Sequence, residues 1–170
     1  MDVLVVVDMQ KDFISGALGT KEAVAIVPRV AKKIAQAKKA GKTVVFTRDT
    51  HHENYLQTQE GKNLPVPHCI ENTPGWEIDP ALDTTVARIF DKPSFGSEEL
   101  VQYLKGLDNL TSAEYVGLCT DICVITNVLS AKCALPELPI AVDSACCAGV
   151  TPESHENALA AMRMCQIRIL

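Results

Sequence analysis

The sequence has no long apolar run, no excess of basic residues and few aromatic side chains. No segment approaches the roughly 20 consecutive apolar residues that a membrane-spanning helix needs. The formal net charge of -5 offers no basic surface to nucleic acid. Aromatic residues make up only 5% of the chain, too few for a base-stacking platform. We therefore expect a protein with no membrane or nucleic-acid partner.

The sequence also lacks CxxC pairs, and its seven cysteines are an odd number, which argues against a disulfide framework. The first residues lack the basic segment of a signal peptide. We expect a cytoplasmic protein whose cysteines are reduced and mostly small core residues. A thiol redox or metal-buffering role remains an alternative, weakened by the missing CxxC pairs.

Strand and helix patterns alternate along the chain. The predicted strands cover residues 3–7, 43–47, 86–90, 114–118, 139–142 and 167–170. The predicted helices cover residues 28–40, 97–105, 121–135 and 151–164, with Pro28 in a first turn and Ser97 as an N-cap. Such alternation predicts an α/β fold with a parallel sheet that is covered on both faces.

We expect residues 1–170 to form a single domain, because a chain of this length fits one core. One stretch, from about residue 49 to about residue 80, has little periodicity and carries several Pro and Gly residues. A loop this long inside a compact domain is usually functional, so we predict that it helps to form a site.

Ionisable side chains follow the predicted strands. Asp8 comes after the first strand, Asp49 after the second and Lys92 after the third. A segment that contains Cys119 and Cys123 follows the fourth. The carboxyl ends of parallel strands lie at one edge of the sheet, where such folds bind ligands. We therefore expect these side chains to converge there.

Each of these residues has a functional and a structural interpretation. Asp8 is either a general base or a capping carboxylate. Cys123 falls in a predicted first turn, where the helix dipole would lower the pKa of the thiol and N–H groups could hold an oxyanion, but it is one of seven cysteines. Lys92 would stabilise a thiolate, or it is a solvated lysine. Cys119 is expected to pack, with its backbone nearer the chemistry than its sulfur.

Asp49, His51 and His68 form a second candidate group. Asp49 and His51 alternate in an extended segment, so their side chains point to one side. One Asp with two His is a common ligand set for Zn, Fe or Mn, although an Asp-x-His pair alone is a weak signal. Glu60 is either a further ligand or a solvated loop charge.

Five segments together resemble the isochorismatase-like cysteine hydrolases and, within them, the nicotinamidase-type amidases. They read VVDMQKDF (6–13), TRDTH (47–51), PHCIENTPGWE (67–77), DKPSF (91–95) and GLCTDICV (117–124). They follow the family's order and span nearly the whole chain, and the last is the most specific.

The resemblance implies a three-layer α/β/α sandwich with a six-stranded parallel sheet. It also implies a catalytic triad of Asp8, Lys92 and Cys123 that hydrolyses the amide of a small molecule through a thioester. The oxyanion would be held near the backbone of Cys119 and Cys123. A cis peptide bond is implied between Leu118 and Cys119.

The resemblance further implies one divalent metal ion, Zn, Fe or Mn, held by Asp49, His51 and His68, which binds the pyridine nitrogen of nicotinamide. Glu60 is a possible additional ligand. The resemblance also implies that the protein forms a homo-oligomer.

The expected substrate pocket has an aromatic wall. Its predicted lining residues are Phe13, Trp76, Phe95 and Leu118. The family often places an aromatic residue ahead of the metal-binding His68, but this chain has Pro65 there. The wall would then come from one of the pocket aromatics, from Tyr55, or from a partner subunit. Three alternatives stay open: nicotinamide, another small amide or carbamoyl compound, and a non-catalytic binding protein.

Overall fold

The computed structural model describes all 170 residues, and its centre is a six-stranded parallel sheet. The strands are β1 (Asp2–Val7), β2 (Thr43–Asp49), β3 (Arg88–Lys92), β4 (Ser112–Leu118), β5 (Ile140–Ala148) and β6 (Arg168–Ile169). Their order across the sheet is β3-β2-β1-β4-β5-β6. The chain runs outward from β1 to one edge and then adds β4 on the other side of β1. The β1–β4 pair is therefore the switch point of the sheet.

Helices cover both faces of the sheet. They are α1 (Lys11–Ile14), α2 (Lys21–Lys39), α3 (Gln59–Asn63), α4 (Glu98–Lys105), α5 (Ile125–Ala134) and α6 (Pro152–Met164). The α2 helix packs on one face, and α4, α5 and α6 pack on the other. The implied three-layer α/β/α sandwich is confirmed. No helix combines the length and apolarity that crossing a membrane would require.

The β1 strand lies at the centre of both hydrophobic cores. Val3, Val5 and Val7 belong to the core on the α4–α6 side. Leu4 and Val6 belong to the core on the α2 side. Because side chains alternate between the faces and both faces are covered, the strand is apolar at every one of these positions.

The helix boundaries differ from the sequence predictions in two places. The α2 helix begins at Lys21, where the side chain of Thr20 accepts a hydrogen bond from the Ala23 N–H at 3.0 Å. Pro28 therefore lies inside α2 and not in its first turn. Proline has no N–H group, so one carbonyl of the preceding helical turn loses its hydrogen-bond donor. Because Pro28 is exposed, that carbonyl lies on the solvent-facing side of α2. The predicted helix at 121 begins instead as a π-helical turn, Thr120–Val124, which leads into α5.

Candidate active site

The carboxyl ends of β1 and β4 approach each other closely. Asp8 follows β1, Cys119 follows β4, and Val7 is paired with Gly117 between them. Gly117 has a φ of 121°, and a Cβ atom there would lie 2.1 Å from the Val7 carbonyl oxygen. Only glycine fits this position. The Leu118–Cys119 peptide bond is cis, as the resemblance implied.

Lys92, at the end of β3, is the centre of a buried cluster. The residue is 1% exposed, so it is not a solvated lysine. Its Nζ lies 2.7 Å from Asp8 Oδ2 and 3.5 Å from Cys123 Sγ. The same Nζ lies 3.1 Å from Asp49 Oδ1. The structure thus brings together the three residues for which the sequence suggested a triad.

Burial and the charges of this cluster raise the pKa values of both Lys92 and Cys123. Burial alone would lower the pKa of Lys92, but the negative groups around it, Asp8 first among them, raise that pKa. Burial, followed by the charge of Asp8, raises the pKa of Cys123 well above its ordinary value. The expectation of a lowered thiol pKa is therefore wrong, because the sulfur is buried beside a carboxylate.

Burial also changes the proton affinity of Asp8. Burial raises the pKa of its carboxyl group, which makes the carboxylate a better base. The Thr47 hydroxyl donates a hydrogen bond to Asp8 Oδ1 at 2.7 Å and so fixes the carboxylate. Asp8 has a φ of 46°, a left-handed conformation that is unfavourable for most residues and recurs at functional sites. Sequence reasoning assigned no role to Thr47; its place in the TRDTH segment was the only signal.

A second cluster lies beside the first and contains Asp49, His51, Glu60 and His68, with all four donor atoms within 4.8 Å of one another. Asp49 Oδ2 lies 2.9 Å from His51 Nε2 and 3.6 Å from His68 Nε2. Glu60 Oε1 lies 3.5 Å and 3.6 Å from the same two nitrogens. Donors bound to a tetrahedral zinc ion at about 2.0–2.1 Å are about 3.3 Å apart. These spacings fit one divalent ion with Glu60 as a fourth ligand.

Contacts within this cluster shift the pKa values of Asp49 and His51. Burial alone would raise the pKa of Asp49, but hydrogen bonds from His51 and His68 hold it below its usual range. Burial alone would lower the pKa of His51, but Asp49 and Glu60 raise it to about 9. The two imidazoles therefore face concentrated negative charge, as a cation-binding site requires.

Neighbouring groups orient the two imidazoles. His68 Nδ1 lies 2.8 Å from the Val66 carbonyl oxygen, which leaves Nε2 free to face the cluster. The ring of Tyr55 packs against both imidazoles, with centroid separations of 4.8 Å to His51 and 5.0 Å to His68. Tyr55 therefore supports the cluster and does not form the wall of a substrate pocket.

Gln10 fixes the backbone of Asp49. Its Nε2 donates to the Asp49 carbonyl oxygen at 2.8 Å, and its Oε1 accepts from the Asp49 N–H at 2.7 Å. The amide is fully buried. Gln10 belongs to the VVDMQKDF segment, but the sequence alone gave no reason to pair it with Asp49.

A cavity of about 280 Å³ opens beside both clusters. Its wall includes Phe13, Phe95, Leu118, Cys119, Cys123, Asp49, Glu60 and His68. Most of the remaining lining is apolar, and no lysine or arginine belongs to it. The cavity therefore joins the thiol to the second cluster through an aromatic and aliphatic chamber.

Trp76 does not line this cavity, so its predicted place in the pocket is wrong. Its indole stacks on the Arg48 guanidinium, 3.4 Å from the ring centroid. Its Nε1–H donates to the Thr50 hydroxyl at 2.8 Å. These contacts hold the ring away from the cavity, so the aromatic wall consists of Phe13 and Phe95 from the same chain.

Known proteins share this architecture over its whole length. The sequence model of the isochorismatase domain matches residues 2–169. The nicotinamidase/pyrazinamidase of Mycobacterium tuberculosis is 28% identical over 189 residues, covering 100% of this chain and 98% of that protein. The structure of the pyrazinamidase of Pyrococcus horikoshii in complex with zinc matches with a TM-score of 0.87 and 32% identity, over 99% of this chain and 98% of that chain. The pyrazinamidase/nicotinamidase of Streptococcus mutans matches with a TM-score of 0.89 and 25% identity, over 100% of both chains.

Proposed function

The chain belongs to the isochorismatase domain family, and we propose that it is a cysteine-dependent amidase that hydrolyses nicotinamide to nicotinate and ammonia. The observation that supports this most directly is the burial of Asp8, Lys92 and Cys123 in contact distance beside a small apolar cavity. The likeness to nicotinamidases and pyrazinamidases over nearly the whole chain supports the substrate class.

In the first half of the proposed reaction, Asp8 accepts the thiol proton while the Cys123 sulfur attacks the amide carbonyl carbon. We place the oxyanion at the backbone N–H groups of Cys119 and Cys123, where one such donor contributes roughly 3 kcal/mol. Lys92 offsets the negative charge that forms beside it. The C–N bond then breaks, and Asp8 returns the proton to the departing ammonia.

The second half regenerates the thiol. Asp8 accepts a proton from a water molecule, whose oxygen attacks the carbonyl carbon of the thioester on Cys123. The C–S bond breaks, and the proton returns to the sulfur. One water is consumed, its second proton passes from the new carboxyl group to solvent, and nicotinate is released with no change in oxidation state.

We propose that Asp49, His51, Glu60 and His68 hold one divalent metal ion. Two imidazole nitrogens and two carboxylate oxygens suit zinc, and also iron or manganese. When bound, such an ion supplies a Lewis-acid position for a ring nitrogen. The zinc in the Pyrococcus horikoshii pyrazinamidase supports zinc as the first candidate.

The lining of the cavity disfavours one class of alternative substrate, carbamoyl compounds that carry a carboxylate. Its lining contains Asp49 and Glu60 but no lysine or arginine. A carbamoyl compound with a carboxylate would place an anion near these acidic groups and would depend entirely on the bound metal for compensation. An uncharged aromatic amide has no such cost. A non-catalytic binding protein would have no need for a buried carboxylate, ammonium and thiol in contact.

We also propose that residues 1–170 act as one domain, in the cytoplasm and as a homo-oligomer. The stretch from about 49 to 80 would be the functional loop, because it supplies His51, Glu60 and His68. Light scattering on the purified protein measures the oligomeric state directly.

Ammonia release by the zinc-loaded protein tests the proposal. Nicotinamide should be hydrolysed, and Cys123→Ala should lower the rate by roughly a thousandfold or more. Cys133→Ala, at an exposed cysteine far along α5, should keep the wild-type rate. Unchanged ammonia release from Cys123→Ala would refute the mechanism, and activity on carbamoyl compounds alone would favour the alternative substrate class.

A further inference from the structure

Asn127 is a buried amide that the proposed chemistry does not use. It lies in the first turn of α5 and is 1% exposed. Its Nδ2 donates to the Cys123 carbonyl oxygen at 2.8 Å and to the Phe95 carbonyl oxygen at 3.1 Å. Its Oδ1 accepts from the Ser97 N–H at 3.0 Å. Both ends of the amide are therefore paired in a place where an unpaired polar group would be costly.

These partners belong to two different parts of the site. Cys123 lies in the π-helical turn that carries the nucleophile. Phe95 and Ser97 belong to residues 93–97, which join Lys92 to α4; we call this stretch the wall segment. Lys92 Nζ also donates to the carbonyl oxygen of Ser94 in the wall segment, at 2.9 Å. Hydrogen bonds with the side chains of Lys92 and Asn127 thus hold the backbone of the wall segment in place.

The position of Phe95 depends on these backbone contacts. Its side chain lines the cavity, yet the residue is 43% exposed, so packing alone restrains it weakly. The wall segment lies close against α5, since a Cβ atom on Gly96 would approach Thr126 Cγ2 to 3.0 Å. The hydrogen bonds of Asn127 therefore set the distance between Phe95, on one side of the cavity, and the π-helical turn that carries Cys123.

We propose that Asn127 is a positioning residue that fixes the Phe95 wall relative to the Cys123 sulfur and thereby sets the KM for a ring-bearing amide. This inference rests on the proposed function, because it takes the cavity to be the substrate site. The hydrogen bonds of Asn127 to Phe95 and Ser97 would then affect substrate binding. Its hydrogen bond to the Cys123 carbonyl would affect the position of the nucleophile.

Asn127→Thr separates these two roles. A threonine hydroxyl in a helix can donate to the carbonyl four residues earlier, as Thr126 does to Ile122 at 2.6 Å. The variant therefore keeps a bond to the Cys123 carbonyl and loses both bonds to the wall segment. Asn127→Ala loses all three. Ala131→Gly, one turn further along α5, is the matched control, because it weakens the same helix without touching these bonds.

The expected result is a split between KM and kcat. Loss of the two bonds to the wall segment should raise the KM for nicotinamide about tenfold in Asn127→Thr, with kcat within about twofold of wild type. Asn127→Ala should show the same rise in KM and a further few-fold fall in kcat. Ala131→Gly should lower the melting temperature and leave both constants unchanged. An unchanged KM in Asn127→Thr, or an equal rise in Ala131→Gly, would overturn the inference.

A readout that needs no substrate separates this inference from the proposed function. Hydrogen exchange of the Ser97 amide should be at least about tenfold faster in Asn127→Thr than in wild type or Ala131→Gly, because its acceptor is gone. Equal exchange in all three proteins would refute the positioning role whatever the substrate is. A different outcome would refute the proposed substrate instead: exchange of the Ser97 amide that is faster in Asn127→Thr, as predicted, together with no ammonia release from nicotinamide by the wild-type protein.

Discussion

Asp49 is the residue that joins the two clusters. One carboxylate oxygen lies 3.1 Å from Lys92 Nζ, and the other lies 2.9 Å from His51 Nε2. A shift of this side chain would therefore disturb both the ammonium that faces the thiol and the proposed metal ligands. Gln10, which pairs with both backbone polar groups of Asp49, is well placed to prevent such a shift.

We predict that Gln10→Met weakens zinc binding about tenfold or more, which is typical when a group that orients a metal ligand is removed. Methionine has a similar length but replaces neither hydrogen bond to Asp49. Competition with a chromophoric chelator measures the affinity. Gln102→Met, at an exposed position of α4, is the control and should bind zinc like wild type. Equal affinity in both variants would show that Asp49 does not depend on Gln10.

The reactivity of the Cys123 thiol gives a second prediction for a single residue. Its pKa is raised by burial and by Asp8, so little thiolate exists at neutral pH. Iodoacetamide should label the exposed Cys133 and Cys165 first. The labelling rate of Cys123 should keep rising from about pH 7 to beyond about pH 9, because deprotonation lies above that range. Peptide mapping by mass spectrometry measures each rate; preferential labelling of Cys123 at neutral pH, with a plateau, would contradict the assigned shift.

At the scale of elements, the strands and helices with strong local signals were predictable. The continuous apolar run of β1 and the N-cap at Ser97 appear in the structure where they were expected, and the last helix begins directly after Thr151, close to its predicted start. The predicted start of α2 is wrong because proline is typical of a first helical turn, and Pro28 was therefore placed there. The N-cap is instead Thr20. The π-helical turn Thr120–Val124 was missed because no local pattern distinguishes it from an α-helical turn.

The β1–β4 pair yields a prediction at this scale. Gly117→Ala should destabilise the protein by about 3 kcal/mol or more, because the added methyl group would collide with the Val7 carbonyl at the centre of the sheet. Gly41→Ala is the matched control, since its φ is also positive, at 73°, but nothing lies within 4 Å of the new atom. It should cost only about 1 kcal/mol. Urea denaturation measures the free energy of unfolding of both variants. Equal losses of stability would mean that β1 and β4 can move apart at the switch point to accommodate the methyl group.

At the scale of the whole molecule, the parallel topology explains why distant residues meet. Asp8, Lys92 and Cys123 are far apart in the sequence, but each lies at or shortly after the carboxyl end of a strand in one sheet. That convergence could be predicted from the alternation of strands and helices alone. The supporting contacts of Thr47, Gln10 and Asn127 could not, because they depend on which side chains tertiary packing places opposite each other.

Two site predictions failed for the same reason. The local position of Cys123 suggested an activated thiolate, but its neighbours in space decide its pKa. The family resemblance made Trp76 one of the candidates for the aromatic pocket wall, but its stacking on Arg48 removes it from the cavity. Both errors arise from contacts between segments that are distant in the chain.

Chelation tests whether the second cluster serves binding and not the fold. Protein groups hold the ligands without an ion, because Gln10 and Lys92 contact Asp49 and the Val66 carbonyl contacts His68, so removal of zinc should leave the circular dichroism spectrum unchanged. Hydrolysis of nicotinamide should fall and return when zinc is added back. Unfolding after chelation would show that the ion is structural.

The central claim is that the Cys123 sulfur forms a covalent bond to the acyl group of the substrate. Acid quenching of the enzyme during turnover of nicotinamide, followed by peptide mass spectrometry, measures this directly. We predict a nicotinoyl thioester on the peptide that contains Cys123, absent when Cys123→Ala is treated in the same way. Steady ammonia release with no adduct on that peptide, in an enzyme whose Cys123→Ala variant remains active, would contradict the account.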